Sequence, residues 1–455
     1  MMDSLVASCW IVGLAIAVSG IDDALVDSLF HWRNLLRRRT VYRHRRRCTT
    51  GRLPPGPARP VAILVPAWNE EHVIAAMLRH LRATQRYAVY HVFVGVYPNN
   101  RATEIAARAA DPAGDWLTVI RLAREGPTSK GDCLNVLWRH AVAARHKGRP
   151  YELFVLHDAE DIVDPEELIV FDALADRADM LQLPVFPMKS RTSTFVNGHY
   201  VDEFAESHQK DMALREALTD AVPCAGVGCA FGREALDFAA QRNGGCPFDI
   251  KSMTEDYSLS LTLAAAGRRS IFIDIRSDCG RRVATRGCFP HEFLPAVKQK
   301  ARWLTGITLQ AAATFRWVGP PALRYMLWRD RKALTNAFLN IAAYCLVGAI
   351  LLRDLPAYTG TGGPAPLLSA SPALAVLFGI NAALMLNRAG HRAFYVARLY
   401  GRAEGARAIL RMPMSNAVNF AAAVRAIYLY GHHLITGQPL KWDKTDHEFP
   451  ALPAE

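Results

Sequence analysis

The chain has 455 residues, 51% of them hydrophobic, and a formal net charge of +12 from 54 lysines and arginines against 42 aspartates and glutamates. That length suits two or three structural units, with apolar content enough for a large core plus membrane segments. Nine cysteines, an odd number with none in a C-x-x-C pair, imply neither a disulfide framework nor a zinc site, and the large domain is expected in a reducing compartment.

Residues 4–21, SLVASCWIVGLAIAVSGI, carry no charge and are just long enough to cross a bilayer. Only Asp3 precedes them as a charge, so the basic leader of a signal peptide is missing. Nine arginines follow between residues 33 and 52. The positive-inside rule then puts the N-terminus outside and the next domain in the cytoplasm. A basic run abutting a span fits anionic lipid. With no interleaved stacking platform, it does not fit nucleic acid.

From residue 60 to 310 the pattern is soluble α/β. PVAILVPA is a buried strand, followed by a helical stretch over 70–83. VYHVFVGV and WLTVIRL are further strands, and SKGDCLNVLWRHAVAARH has helical periodicity. YELFVLHDAED is a fourth strand ending in acids. Alternating strands and helices predict a mostly parallel sheet, whose ligands bind outside the carboxyl ends of the strands. Those ends carry PAWNE, YPNN and HDAED.

Beyond it, residues 315–328 mix aromatics with arginine, as an interfacial segment does. Two more uncharged stretches, 333–352 and about 368–386, flank a Pro/Gly-rich loop expected outside. Arg411 and Arg425 bracket a mostly apolar stretch of only 13 residues, too few to cross, so 412–424 is expected to lie at the interface or re-enter, leaving the C-terminal tail inside. The divisions are therefore 1–59, a membrane helix with a basic segment; 60–310, the α/β domain; and 311–455, interfacial helices, two membrane helices and a tail. The site is the inner membrane, multi-pass.

Several short motifs carry candidate chemistry. In HDAED, Asp158 and Glu160 straddle a strand end and can hold Mg²⁺ or Mn²⁺ beside a diphosphate; a solvated acidic loop is the plainer reading. Glu70, just past the first strand, can accept hydrogen bonds from a base or ribose, or simply begin a helix. Lys130 lies near a helix start where a diphosphate could sit. Gln299 and Trp303 are four apart with Arg302 beside them, so a helix puts them on one face, where Trp stacks on sugars and Arg grips phosphate; a basic amphipathic helix at the membrane is the rival reading of AVKQKARW. MTEDYSLSL sets Glu255 and Asp256 before an apolar run. Thr254 could cap a helix there, or a carboxylate could be a catalytic base.

In order, the set P-x-W-N-E, K-x-x-x-x-N, D-x-E, G-x-G, T-E-D and Q-x-x-R-W resembles the processive branch of glycosyltransferase family 2, which includes cellulose, chitin and hyaluronan synthases. SGIDD, VGVYPN, DAED and WDKTDH resemble, more narrowly, the bacterial phage-adsorption protein B group. The resemblance covers roughly residues 60–310 plus the membrane arrangement. It implies a GT-A, Rossmann-like cytoplasmic domain, a UDP-sugar donor and inverting transfer. It places Ala67 and Glu70 near uridine, Lys130 and Asp158 near the diphosphate, and Glu160 in the metal motif. Gly226 and Gly228 fall under the acceptor, Asp256 is the base with Glu255 as its neighbour, and Gln299, Arg302 and Trp303 hold diphosphate and acceptor. Two departures stand out. The metal motif is D-x-E, which leaves Asp161 as an alternative ligand. Asn99 or Asn100 stands where cellulose synthases use an aspartate for uridine. Longer members of the group carry a further cytoplasmic domain, so control by a cyclic dinucleotide through such a domain is not expected here. The expected acceptor is a growing polysaccharide or, alternatively, a lipid. Three spans are few for a channel, so an export partner or a homodimer is expected. A non-catalytic scaffold is the reading from another class.

Overall fold

The structure, a computed structural model, describes residues 2–190 and 192–440; the cytoplasmic tail and the WDKTDH motif expected above lie outside the described residues, apart from Leu440. In chain order the elements are helix α1 (Met2–Thr40), β1 (Val61–Pro66), α2 (Ile74–Thr84), β2 (Tyr90–Val96), α3 (Arg101–Arg108), β3 (Leu117–Arg121) and α4 (Lys130–Ala143). Next come a small hairpin, β4 (Arg145–His146) and β5 (Arg149–Pro150), then β6 (Leu153–Leu156), α5 (Glu167–Leu174), β7 (Met180–Gln182) and β8 (Val185–Pro187). A helical insertion follows, α6 (Val196–Glu206) and α7 (Met212–Thr219), joined by a π-helical turn, Ser207–Asp211. The domain continues with β9 (Cys229–Gly232), α8 (Arg233–Arg242), α9 (Glu255–Ala265), β10 (Ser270–Phe272), β11 (Thr285–Gly287), α10 (Phe293–Leu304) and α11 (Ala311–Phe315). The chain then forms α12 (Pro321–Tyr358), α13 (Leu367–Ala370), α14 (Pro372–Tyr400) and α15 (Arg402–Thr436).

Seven strands form one sheet in the order β10-β7-β9-β6-β1-β2-β3. All neighbours are parallel except β9, which runs antiparallel to both β6 and β7. The central strands are continuous apolar runs because both faces are covered. Ile63, Val65, Val94 and Val155 pack with Ile74, Met77 and Leu78 of α2 on one side. Leu64, Phe93 and Phe154 pack with Leu134 and Leu137 of α4 and Leu259 of α9 on the other. The carboxyl ends of β1, β2 and β6 therefore share one edge, as the alternating pattern requires.

Among the described residues, three helices are long and apolar enough to cross a membrane, within Ser4–Thr40, Pro321–Tyr358 and Pro372–Tyr400. Their apolar stretches end at one ionic cluster. Asp22 bonds Arg329 and Lys332, and Asp23 pairs with Lys332 at 2.8 Å and Arg388 at 2.7 Å. The insertion α6–α7 sits against this bundle through buried charges. Lys210 meets Asp27 at 2.5 Å and Glu206 at 2.8 Å. Arg411 grips both oxygens of Asp202, at 2.9 and 2.6 Å, and Glu404 at 2.8 Å. Gly198 makes room for it, since a Cβ there would lie 2.5 Å from Arg411 Cδ.

Three boundaries differ from expectation. The N-terminal helix does not end with its apolar stretch but runs 39 residues, because Asp22, Asp23 and Asp27 are paired and let it continue. The stretch 315–328 is split between the end of α11 and the start of α12, whose Pro321 stands in the first turn, where its missing N–H costs nothing. Residues 412–424 are not a short separate helix but the middle of the 35-residue α15, because Arg411 is neutralised by Asp202 and Glu404 instead of reaching for solvent.

Arg411→Ala would strand the Asp202 carboxylate in the interior. It is expected to cost about 3–5 kcal/mol, read as a lower Tm of the detergent-solubilised protein; an unchanged Tm would show the pair to be dispensable.

Candidate active site

The site begins where β6 ends. The loop preceding β9 crosses that end, and Gly228 N–H donates to the Leu156 carbonyl at 3.1 Å. Two residues beyond Leu156, Asp158 Oδ1 meets Lys130 Nζ at 2.6 Å. Lys130 is the first residue of α4, a start fixed by Ser129 Oγ accepting the Asp132 N–H. Its ammonium also donates to the Gly226 carbonyl at 3.3 Å. Gly226 has φ +76°, and a Cβ there would lie 2.5 Å from Asp256 Oδ2 and 3.5 Å from Lys130 Nζ. Only glycine lets the loop run this close to the carboxylate. Gly228, at φ +57°, leaves the space that Thr285 Oγ1 fills.

Glu255 and Asp256 open α9, so the helix-start reading of TEDY is geometrically right, and the functional reading does not compete with it. Thr254 does not cap the helix through its side chain. Asp256 Oδ1 instead accepts the N–H of Tyr257 at 2.8 Å. Asp158, Glu160, Asp161, Glu255 and Asp256 line one cavity of about 100 Å³ with Lys130. Burial and then the charge of Asp256 push the Glu255 carboxyl up to about 7. Burial likewise raises Asp256, against the pull of Lys130 and Arg302. Burial alone would lower the Lys130 ammonium, but Asp158, Glu255 and Asp256 outweigh it and hold the group firmly charged.

α10 closes the opposite wall with Gln299, Arg302 and Trp303, side by side as the helical spacing requires. Trp303 packs edge-on against Tyr200, with ring centroids 6.0 Å apart, and near Phe204 and Phe289. Gln299 Oε1 is buried with no partner among the described residues. A π-helical turn, Thr305–Gln310, follows directly, and its Gly306 has no room for a side chain beside Thr254. That contact links the helix carrying Arg302 to the approach to Glu255.

Ala67, Glu70 and Asn99 are not in this cavity. They lie beyond the neighbouring ends of β1 and β2. Ala67 is buried and its N–H bonds the Gly95 carbonyl at 2.9 Å. The Glu70 N–H bonds Thr103 Oγ1 at 2.9 Å. Asn99 spans the Gly126 backbone, donating to its carbonyl at 2.7 Å and accepting its N–H at 2.9 Å. Asn100 caps α3.

Sequence reading missed a buried network beneath the acids. His157 reaches Asp161 Oδ2 at 3.1 Å through Nδ1 and Glu167 Oε1 at 2.7 Å through Nε2. Burial disfavours the imidazolium, yet Glu167 and Asp161 hold it up to about 10. Asp161 Oδ2 also accepts the Asp158 N–H at 2.9 Å, so Asp161 braces the turn that presents Asp158. The available signal was a histidine directly before D-A-E-D, behind an apolar strand that leaves it no water. The lining residues Val185, Phe204, Met253, Cys288 and Phe289 had no such signal.

Among the described residues no three histidine, cysteine or carboxylate side chains converge as a complete metal cage. The donor chemistry nevertheless fits a hard cation sharing its shell with a diphosphate. Glu160 is buried, and burial followed by Asp158, Glu70 and Asp161 raises its carboxyl well above the ordinary range. A divalent ion on Asp158 and Glu160 would relieve that repulsion.

Gly226→Ala forces a methyl group onto Asp256 Oδ2 in a backbone region that disfavours it. The activity of the site is expected to fall at least about tenfold while the Tm drops little; a fully active variant would contradict the close fit of loop to carboxylate.

Residues 57–306 match the model of the family described as Glycosyltransferase like family 2. The chain is 35% identical to Bacteriophage adsorption protein B of Escherichia coli (strain K12) and to Bacteriophage N4 adsorption protein B of Escherichia coli O157:H7. Those alignments cover 98% of this chain and 64% of each relative, so the chain spans under two thirds of their length. Among solved structures, the mannosyltransferase PcManGT from Pyrobaculum calidifontis, in complex with GDP-Man and Mn²⁺, superposes with a TM-score of 0.55 at 19% identity, over 92% of this chain and 99% of that one. That likeness shows a shared GT-A-like fold. With the family model matching more than half of its length, the chain belongs to glycosyltransferase-like family 2, a family in which inverting transfer is typical.

Proposed function

We propose that this chain is a membrane-bound transferase that moves a sugar from a UDP-sugar to a growing polysaccharide on the cytoplasmic side of the inner membrane. The observation that carries the reading is the meeting of Lys130, Asp158, Asp256 and Arg302 around one cavity. Inverting transfer is an in-line displacement at the anomeric carbon. The acceptor oxygen forms the new bond, the bond to the diphosphate breaks, and the acceptor proton must leave. Asp256 is placed to take that proton, and the raised carboxyl of Glu255 lessens the repulsion beside it. Lys130 and Arg302 bind and neutralise the leaving diphosphate. When bound, Mg²⁺ or Mn²⁺ on Asp158 and Glu160 would supply further charge neutralisation there.

Ala67, Glu70 and Asn99 mark the neighbouring edge where the nucleoside lies. The loop of Gly226 and Gly228, which lines the cavity through Ala225 and Val227, is the floor under the acceptor, and Gln299 and Trp303 are its wall. The ionic cluster of Asp22 and Asp23 with Arg329, Lys332 and Arg388 marks the inner face of the bilayer, with the arginine run on the same side. Three spans are few for a polysaccharide channel, so product export calls for a partner or a second copy.

Two substitutions separate binding from chemistry. Asp158→Asn is expected to weaken metal-dependent UDP binding and abolish transfer. Asp256→Asn is expected to leave UDP binding nearly intact and slow transfer by about 10²-fold or more. An Asp256→Asn enzyme transferring at the normal rate would sink the proposal. Chain extension is expected to suffer in Trp303→Ala while donor hydrolysis persists; equal loss of both would remove Trp303 from the acceptor side.

Topology is tested separately. Cysteines introduced at Thr361 and Arg45 are expected to label from outside and inside respectively. Labelling of both from the same side would reverse or abolish the proposed orientation.

A further inference from the structure

We infer that Asp330, on the helix carrying the second apolar span, is a positioning residue for Asp256 and acts through Tyr257. Three elements meet at this point. Tyr257 follows Asp256 on α9, and its backbone N–H donates to Asp256 Oδ1 at 2.8 Å. Its phenol reaches the other way and donates to Asp330 Oδ2 on α12 at 2.6 Å. Arg215 on α7 donates from Nη1 to both Asp330 oxygens, at 2.8 and 2.9 Å. Tyr257 and Arg215 are 4% and 7% exposed.

Apolar packing alone does not account for this arrangement. Tyr257 already stands among Ala221, Leu261, Ala311, Leu323 and Leu327, where a phenylalanine ring would fill the same space. Burying a phenol and a guanidinium against the half-buried Asp330 carboxylate instead carries a desolvation cost, which their pairing with it offsets. What the polar clamp adds is direction. A charge-assisted hydrogen bond is short and angle-dependent, so it fixes how far the first turn of α9 can rotate or slide against α12. That turn carries Asp256, whose carboxylate is already confined by Gly226 on its other side. The position of α12 thus sets where the proton acceptor points, and a helix of the membrane bundle takes part in aligning the cytoplasmic chemistry. The inference rests on the reading of Asp256 as the base.

The test uses the full chain in detergent or nanodiscs, with a turned-over nucleotide sugar as donor. Tyr257→Phe removes one oxygen and keeps the ring. It is expected to lower kcat on the order of 10- to 100-fold, with the donor KM and the Tm unchanged. Asp330→Asn should act in the same direction, and Tyr257→Phe carries the test alone if that variant fails to fold. Measured on the residual rate of Asp256→Asn, Tyr257→Phe is expected to add no further loss, because the group it positions is gone. A normal kcat for Tyr257→Phe, a loss that follows Tm and KM, or a full additional loss in the Asp256→Asn background would each overturn the inference. Full transfer by Asp256→Asn alone would overturn the base reading instead, so the two failures are distinguishable.

Discussion

Five carboxylates crowd one buried cleft, and their mutual repulsion is the constraint to which the rest of the site answers. Asp158, Glu160, Asp161, Glu255 and Asp256 line the same cavity as Lys130 and Arg302. Charge this dense is stable only where each acid has a cation, a donor or a proton. Lys130 takes Asp158, His157 takes Asp161, the Tyr257 amide takes one oxygen of Asp256, and Glu255 is pushed toward its neutral form. A site under this tension favours whatever brings positive charge into the cleft, and it disposes one carboxylate to accept a proton. On the proposed reading, a divalent cation carried in with the anionic donor diphosphate would supply that charge, and the acceptor hydroxyl would supply the proton.

The same economy governs the join between the catalytic domain and the apolar helices. The insertion α6–α7 carries Asp202, Glu203, Glu206, Lys210 and Arg215, and each finds an opposite charge on α1, α10, α12, α14 or α15, or a neighbour on its own helix. Buried pairs of this kind contribute little net stability relative to apolar packing, but one partner without the other is strongly unfavourable. They therefore specify a single docking geometry. That specificity is useful where α10, which holds Gln299, Arg302 and Trp303, lies sandwiched between the catalytic domain and α15.

Much of this was legible in the residues. The strands ending at Pro66, Val96 and Leu156 follow from short apolar runs stopped by turn and acidic residues, and the three apolar spans from uncharged length. The motifs named Lys130, Asp158, Asp256, Arg302 and Trp303, which the fold brings to one cavity from α4, the end of β6, α9 and α10. What stayed hidden was pairing at long separation. Nothing local announces that Arg411 meets Asp202, so 412–424 read as a bracketed short helix. Nothing in YSLSL shows that Tyr257 reaches Asp330. The buried His157 was hidden for the same reason, because its partner Glu167 lies in a segment that reads as an ordinary helix start.

The most direct measurement is donor turnover by membranes containing the full chain, across a panel of nucleotide sugars with the sugar products sized. The expected result is consumption of one UDP-sugar, dependent on Mg²⁺ or Mn²⁺, with label entering long polysaccharide. Turnover of no nucleotide sugar at all, with the protein folded and membrane-inserted, would contradict the catalytic account and leave only the fold.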